Sequence, residues 1–331
     1  MCQEVLNLPE NVYEIIQYDT TNFKFTVGKA HYVMPHSHRE LELGLVLSGR
    51  PRFITAGADC LLPPDSLWVT NPFQCHELRT RSIRAPYCYV DLQLPLSFFH
   101  QYFPRAEHVR FDRTDLTDGS IGEEAARVLR HLLLETARSY FAQEAEYELI
   151  CAAGINRLMA LLLATAPHAV LSEQELQQAN TRQARIQRLT DYIDAHMGEK
   201  LLLSDLAERE GLTLSYLSHI FREEMGMSFQ SYLQGLRCRR AVALLIGTDQ
   251  SLSDISMACG FSDLKYMNRG FQQIFGCTPA ELRASGIREE RQEEAAHGLT
   301  RPDRQTGYPV FTRLESLRRV EEALAAGETA G

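Results

Sequence analysis

Three histidines and one glutamate in the first quarter of the chain have the residue types and spacing of a metal or ligand site. In the stretch "HSHRELELGLVLSG", His36 and His38 are two residues apart and Glu42 follows four residues later. Side chains two or four residues apart on a strand lie on the same face, so these three can point into one cavity. His76 adds a third imidazole. Iron and manganese accept such ligands, and the same groups can hydrogen-bond to a small polar molecule.

The residues leave three uses of this set open: ligand binding, hydrogen bonding within the protein, and metal binding. We favour ligand binding and expect no metal cofactor, with a metal site as the alternative. An aromatic face beside polar donors suits a sugar or a similar molecule, and Trp68, Arg52, Tyr87 and Tyr89 are expected near the same cavity, although Trp68 can equally belong to the core. The candidate ligand-binding residues are His36, His38, Glu42, Arg52, Trp68 and His76.

The segment from residue 23 to about residue 94 must position this set. It consists of short β-type runs, such as "FKFTVG", "PRFITAG" and "APYCYVDLQL", separated by turns with glycine and proline. This pattern predicts a small sandwich or barrel. Two apolar helices follow, "GEEAARVLRHLLLETARSYF" and "EYELICAAGINRLMALLLATA". Their wide apolar faces need a partner, either in the same chain or in a second copy of it.

The composition is that of a folded protein with about two domains. The chain has 331 residues, of which 44% are hydrophobic and 23% are charged. Its eight cysteines form no C-x-x-C pair, so neither a zinc knuckle nor a disulfide framework is expected. The N-terminal residues lack the pattern of a signal peptide, and the longest apolar stretch, "LMALLLATA", is too short to cross a bilayer. We therefore expect a cytoplasmic protein without a membrane partner.

Two stretches in the C-terminal half repeat one pattern. They read "LSDLAEREGLTLSYLSHIFREEMGMS" and "LSDISMACGFSDLKYMNRGFQQIFGCT", with one extra residue in the second copy after its glycine. In each, a short helix ends at a glycine, Gly211 or Gly260, which tolerates a left-handed backbone. A hydroxyl, on Thr213 or Ser262, then caps a longer helix. The repeat predicts two helix-turn-helix motifs.

The longer helices separate apolar from hydrogen-bonding residues. Leu214, Leu217 and Phe221 are predicted to face inward in the first copy, as are Leu264, Met267 and Phe271 in the second. The polar faces carry residue types that read base edges in the major groove, and arginines of the intervening helix are placed to contact phosphates. The formal net charge of −9 argues against indiscriminate coating of nucleic acid, but it allows reading by a few placed side chains. The candidate DNA-binding residues are Ser215, Ser218, His219, Arg222, Arg237, Arg239, Arg240, Lys265, Tyr266, Asn268, Arg269 and Gln272.

Residues 184–283 resemble the DNA-binding domain of the AraC/XylS family of bacterial transcription regulators, through the duplicated unit, the stretch "GFSDLKYMNRGF" and the closing "FGCTPAELR". The resemblance implies an activator that binds double-stranded promoter DNA as a homodimer and contacts RNA polymerase. Ser256, Met267, Gln272 and Gln273 depart from the residues usual in the family, which slightly reduces the expected phosphate contact.

The stretch around His36 resembles the first motif of the cupin barrel. The stretch "PPDSLWVTNPFQCHEL" resembles the second motif, with Pro72 and His76 in place and Asp65 where a glycine is usual. In regulators of this family, such a barrel is a receptor for a small-molecule effector.

The sequence thus predicts an α+β multidomain protein. An N-terminal cupin-like β-barrel with dimerisation helices precedes a C-terminal all-α domain, in which a linker helix joins two helix-turn-helix motifs. The expected boundaries are 1–118 for the barrel, 119–166 for the dimerisation helices, 167–183 for a linker, 184–284 for the DNA-binding domain and 285–331 for an extension of unknown role.

The expected function is sequence-specific activation of transcription, controlled by an effector such as a sugar, and not catalysis. The alternatives are a metal-dependent cupin enzyme with an accessory helical domain, and a regulator that responds to a protein partner.

Overall fold

The structure is a computed structural model that describes residues 13–14, 16, 21–55, 58–80, 85–116, 119–287, 293–294, 296–297, 299–302 and 309–329. Its strands are β1 (Tyr13–Glu14), β2 (Lys24–Ala30), β3 (Tyr32–His38), β4 (Leu41–Ser48), β5 (Arg52–Thr55), β6 (Asp59–Leu61), β7 (Leu67–Thr70), β8 (His76–Arg79), β9 (Tyr87–Leu94), β10 (Val109–Phe111), β11 (His168–Val170), β12 (Thr300–Pro302) and β13 (Pro309–Phe311). Its helices are α1 (Glu123–Ala142), α2 (Tyr147–Thr165), α3 (Glu173–His196), α4 (Leu203–Arg209), α5 (Leu214–Met225), α6 (Phe229–Gly247), α7 (Leu252–Ala258), α8 (Leu264–Phe275), α9 (Pro279–Arg283) and α10 (Arg313–Thr329).

Two mainly antiparallel sheets form the N-terminal barrel, with the strand orders β1-β3-β8-β5-β6 and β12-β13-β2-β9-β4-β7. Side chains alternate along β4, because successive residues of a strand point to opposite faces. Leu43 and Leu45 pack outward into the core shared with the helices, whereas Val46 packs inward with Trp68. The barrel before a helical C-terminal half confirms the predicted α+β architecture.

Helices α1 and α2 pack against each other and against the outer face of the six-stranded sheet, with Leu129, Leu133 and Ile155 buried. By length and composition alone, α2 is apolar enough to cross a membrane, although the shorter stretch considered in the sequence is not. Core helices of soluble proteins meet the same criterion, so length and composition do not establish that α2 spans a membrane. More than half of the side-chain surface of Leu149 and of Ile150 is exposed on this helix.

The region predicted as a linker, residues 167–183, contains regular structure. Strand β11 lies in it and pairs with β10, and α3 begins at Glu173 behind a capping box. In this box the Ser172 Oγ accepts from the Glu175 backbone N–H at 3.3 Å, and the Glu175 carboxylate accepts from the Ser172 N–H at 2.8 Å. The first turns of α3 are polar and lack the apolar periodicity that predicts a helix, which is why the expected helix started later.

The two predicted helix-turn-helix motifs are α4–α5 and α7–α8. Gly211 and Gly260 have φ angles of 66° and 80°, as the left-handed turn requires. Thr213 caps α5 by accepting from the Tyr216 N–H. The cap of α8 is Asp263, which accepts from the Tyr266 N–H at 2.9 Å, so the prediction of Ser262 as this cap is wrong by one residue.

The inward faces of these motifs differ from the prediction at one position. Leu217 and Phe221 are buried in the first motif, and Met267 and Phe271 in the second. Leu214, by contrast, is 51% exposed. It lies in the first turn of α5, beyond the contact with α4, and Ile220 joins the core instead.

The C-terminal extension returns to the barrel, a role that the sequence does not predict. Strand β13 pairs with β2 at Val310 and Gly28, and β12 pairs with β13. Helix α10 packs on α1, and its buried Val320 joins the same core as Phe311. The extension therefore completes the N-terminal barrel and its helical layer from a distant part of the chain.

Candidate functional site

Four ionisable side chains meet inside the barrel. His36 and His38 come from β3, Glu42 from β4 and His76 from β8, and the β3–β8 register places His36 opposite His76. One ligand atom from each lies within 4.8 Å of the others, and all four residues are buried. We call these four residues the barrel cluster. The predicted set does meet in one cavity, but strand parity accounts only for His36 and His38 on β3, because Glu42 comes from the next strand, β4, after a bend at residues 39–40.

The carboxylate of Glu42 is the centre of a hydrogen-bond network. Its Oε1 accepts from the indole N–H of Trp68 at 2.8 Å, and its Oε2 accepts from the amide of Gln93 at 3.2 Å. The Nε2 atoms of His38 and His76 lie 3.0 and 3.7 Å from the same Oε2. Burial alone would raise the pKa of Glu42, but the two histidines outweigh it and hold this pKa well below the usual value. Glu42 is therefore a buried anion.

The two histidines beside Glu42 are oriented from behind by the backbone. The His38 Nδ1 lies 3.1 Å from the carbonyl oxygen of Glu40, and the His76 Nδ1 lies 3.0 Å from that of Gln74. A carbonyl can only accept, so each Nδ1 carries the proton and donates it. Each Nε2 is thereby directed towards Glu42.

A narrow cavity of about 40 Å³ opens beside the barrel cluster. Of the candidate ligand-binding residues, His36, Glu42, Trp68 and His76 line it, whereas His38 lies behind Glu42. Tyr87 and Tyr89 also line it. The remaining lining residues, which the sequence analysis missed, are Lys24, Thr26, Val33, Leu78, Asp91, Gln93 and Val310.

Arg52 does not belong to this site, and its prediction as a ligand-binding residue is wrong. Its side chain is 43% exposed and donates from Nη2 to Asp59 at 2.7 Å on the outside of the barrel. The neighbouring Phe53 is buried in the interior. Alternation along β5 therefore turns Arg52 outward.

A signal for part of the missed lining was present in the sequence. In β9, "YCYVDLQL", polar Asp91 and Gln93 share one parity with the two tyrosines, and apolar Val90 and Leu92 occupy the other. Period-two alternation could thus have placed the polar pair in the barrel interior. Val310 had no such signal, because its strand joins the sheet from a distant part of the chain.

The predicted DNA-reading residues lie on two exposed helix faces. On α5 the face consists of exposed side chains, and on α8 all are exposed except Asn268, which is half-buried. His219 lies 3.3 Å from Glu223 on the same face. The residues of the two faces are Ser215, Ser218, His219 and Arg222 on α5, and Lys265, Tyr266, Asn268, Arg269 and Gln272 on α8.

The three arginines predicted to contact phosphates have different surroundings on α6. Arg240 is exposed. Arg237 is half-buried and donates to the backbone oxygens of Met197 and Glu199 at 2.8 and 2.7 Å. Arg239 is buried and lies 3.5 Å from the carboxylate of Asp194, so its predicted phosphate contact is corrected. Both helix-turn-helix cores and strand β3 pack on α6, which leaves little of its surface open.

Comparison with known proteins identifies both halves of the chain. A model of a helix-turn-helix domain matches residues 206–285, and a model of the AraC-like ligand binding domain matches residues 26–150. The HTH-type transcriptional activator RhaR of Mannheimia succiniciproducens is 30% identical over 118 residues, which are 36% of this chain and 43% of that protein. The HTH-type transcriptional activator RhaS of Escherichia fergusonii is 26% identical over 244 residues, 72% of this chain and 80% of that protein.

Among solved structures, ToxT from Vibrio cholerae is 12% identical, with a TM-score of 0.43, and the match covers 80% of this chain and 98% of ToxT. The present chain spans less than half the length of the RhaR relative. The two matched domains follow the order of the fold, a ligand-binding barrel before a helix-turn-helix unit, and they are domains of a transcription regulator, not of an enzyme. The chain belongs to the AraC/XylS family of transcription regulators.

Proposed function

We propose that this protein activates transcription by reading promoter DNA with helices α5 and α8. The observation that carries the proposal is the pair of exposed, hydrogen-bonding faces on two helix-turn-helix motifs of one chain. Lys265 and Arg269 have the chemistry to bridge guanine O6 and N7, and Asn268 and Gln272 that to pair with adenine. Activation through contact with RNA polymerase is proposed because the RhaR and RhaS relatives are named as activators.

The linker helix α6 supports reading of two neighbouring grooves. Its 19 residues give a length of about 28 Å at the usual rise per residue. Successive major grooves on one face of DNA are about 34 Å apart. A helix of this length between the two motifs is therefore compatible with both entering the groove, and exposed Arg240 can contact the phosphate backbone between them.

We propose that the barrel cavity receives a small polar effector. Glu42, Lys24, Asp91 and the tyrosines offer charged and aromatic groups at the same cavity. A volume of about 40 Å³ has room for only a few water-sized groups, so a ligand as large as a sugar requires the cavity to widen. Val310 of the C-terminal extension forms part of the wall, and movement of this edge is a route to a wider cavity.

A homodimer formed through α1 and α2 completes the proposal. Leu149 and Ile150 lie exposed on α2, and a second copy would bury them. The proposed division of the chain keeps the sequence boundaries up to residue 284. It adds the extension, residues 285–331, to the sensing half, because β13 and α10 pack there. Such a regulator acts on DNA in the cytoplasm.

This function can be tested by selecting DNA ligands from a random duplex library. The purified full-length chain serves as the binding protein. We expect enrichment of a site with two half-sites about one turn of DNA apart, and footprinting should show protection on one face. A chain that binds the enriched duplex no more tightly than scrambled DNA would overturn the proposal. Arg127→Ala, which removes an exposed arginine of α1, serves as a control for loss of positive charge far from the reading faces.

A further inference from the structure

We propose that the barrel cluster, His36, His38, Glu42 and His76, binds one divalent first-row transition-metal ion. This goes beyond the proposed function, which requires only a small polar effector and DNA. The inference rests on the positions of the donor atoms and does not depend on how the helical half reads DNA.

The first observation is that proton acceptors face each other inside the cluster. Because the Nδ1 atoms of His38 and His76 donate to backbone carbonyls, any second proton of each ring lies on Nε2, and its loss leaves a lone pair there that faces Glu42. Both lone pairs are close to Oε2 of Glu42, at 3.0 and 3.7 Å. Lone pairs beside a carboxylate repel unless a cation lies between them. A metal ion supplies that cation, and so does a proton on each ring, which is the competing explanation.

The second observation is a buried nitrogen whose only recorded contact is the Glu42 carboxylate at 3.7 Å, too far for a hydrogen bond. The Nε2 of His76 is fully buried and makes no hydrogen bond to any residue that the structure describes. The side chain is only 1% exposed, so bulk water does not compensate. A buried polar atom without a hydrogen bond destabilises the fold. Coordination of a metal would remove this cost.

The dimensions of the cluster fit a metal ion. Metal–nitrogen bonds of about 2.1 Å place neighbouring ligand atoms roughly 3–3.5 Å apart and opposite ones about 4.2 Å apart. The separations of 3.0 and 3.7 Å lie near the first range. The limit of 4.8 Å for the whole set requires a contraction of about 0.6 Å for ligand atoms in opposite positions. The cavity beside the cluster leaves room for a water molecule or effector oxygen as a further ligand.

The surroundings of the ligands also match those of metal sites. Metal-binding histidines usually donate their other ring N–H to a backbone carbonyl or carboxylate, and ligating carboxylates are themselves hydrogen-bonded. His38 and His76 have the first arrangement, and Glu42 has the second through Trp68 and Gln93. Three imidazoles and one carboxylate favour iron, manganese, nickel or zinc over calcium or magnesium.

The test measures metal content of the full-length protein, freed of any histidine tag and stripped with a chelator. The apo protein is dialysed in turn against Fe²⁺ under anaerobic conditions, Mn²⁺, Ni²⁺ and Zn²⁺, and bound metal is determined by elemental analysis. We expect one ion per chain for at least one of these metals, and at least about a tenfold loss of occupancy in His38→Ala and His76→Ala. His131→Ala, a substitution of an exposed histidine on α1, should keep full occupancy.

A second measurement needs no variant and guards against misfolded mutants. Bound metal stabilises the folded barrel by mass action, so the bound ion should raise the Tm of the wild type, followed by Trp68 fluorescence. Substoichiometric metal with no shift of Tm for all four ions would overturn the proposal and favour protonated histidines. Stoichiometric metal that persists in both ligand variants would overturn it too, because the ion would lie elsewhere. Binding of the selected DNA duplex, measured on the same samples, separates failure of this site from failure of the proposed function.

Discussion

The ring of Tyr32 on β3 meets the ring of Phe275 at the end of α8 edge to face, with centroids 5.3 Å apart. Tyr32 precedes His36 by four residues on the strand that carries two members of the barrel cluster. Cys75, the neighbour of His76, likewise packs into the core of the first helix-turn-helix motif. Strand β3 and the segment of Cys75 and β8 therefore carry both members of the barrel cluster and residues that pack on the helical half. In the proposed function, an effector acts through different affinity for two arrangements, and we propose that these arrangements differ at this contact.

We expect Tyr32→Ala to loosen α8. Edge-to-face aromatic pairs contribute about 0.5–1.5 kcal/mol beyond the area that they bury. Hydrogen exchange of the amides in residues 264–275 should therefore accelerate about three- to tenfold in this variant, because 1.4 kcal/mol corresponds to a factor of ten. Tyr32→Phe retains the ring and should exchange like the wild type. Unchanged protection in Tyr32→Ala would show that the contact does not support the helix.

The C-terminal extension should stabilise the barrel. Val320 of α10 is fully buried against the core around α1, and Val320→Ala should lower the free energy of unfolding by about 1–3 kcal/mol. Trp68 is the only tryptophan and lies inside the barrel, so its fluorescence in a urea titration reports this change. Leu314→Ala on the same helix removes a side chain that is 72% exposed and should have almost no effect. Equal midpoints for all three proteins would mean that α10 is not part of the barrel's folding unit.

Glu315 should make the attachment of α10 sensitive to acid. Hydrogen bonds from Arg318 lower the pKa of Glu315 below 4.5, and Arg319 adds to this effect. A carboxyl with a lowered pKa in the folded state stabilises the protein above its unfolded pKa, and this contribution is lost as the pH falls through the folded pKa. Glu315→Gln should thus cost up to about 1 kcal/mol at pH 7, with the difference disappearing as the pH falls through the lowered pKa of Glu315. Glu321→Gln, which removes an exposed carboxylate of the same helix outside this ion-pair network, is the control. A cost that does not depend on pH would exclude the charge as its cause.

Sequence patterns predicted features that depend on neighbours along the chain. The turns at Gly211 and Gly260 are local, and so is the parity that brings His36 and His38 to one face of β3. Burial of Arg239 is not local, because it results from elements that meet around α6 in three dimensions. Pairing of Val310 with Gly28 joins opposite ends of the chain, and no periodicity within "GYPVFT" specifies its partner. The histidines of the barrel cluster and the part of the cavity wall on β9 were thus predictable, whereas the contribution of Val310 was not.

The different surroundings of Arg239 and Arg240 predict different defects. Removing Arg239 leaves Asp194 buried without its ion pair, which should cost about 3–5 kcal/mol of folding free energy, measured by urea unfolding. Arg240→Ala should leave stability unchanged, weaken binding to all DNA sequences alike and reduce the slope of log affinity against log salt by about one. A reduced salt slope for a folded Arg239→Ala protein, with none for Arg240→Ala, would reverse these assignments.

The two reading faces should differ in how strongly they discriminate among sequences. The helices align so that His219 of α5 corresponds to Arg269 of α8, and both side chains are exposed. An arginine can bridge guanine O6 and N7 with two hydrogen bonds, whereas His219 lies beside Glu223 and offers fewer donors. Arg269→Ala should therefore cost about 1–3 kcal/mol of specific binding, with relaxed preference in one half-site only. His219→Ala should cost less than about 1 kcal/mol, since no bidentate contact is lost. Affinities of both variants for the selected duplex, and for duplexes altered in one half-site at a time, measure the difference. Equal losses for the two variants would mean that both motifs read DNA with similar stringency.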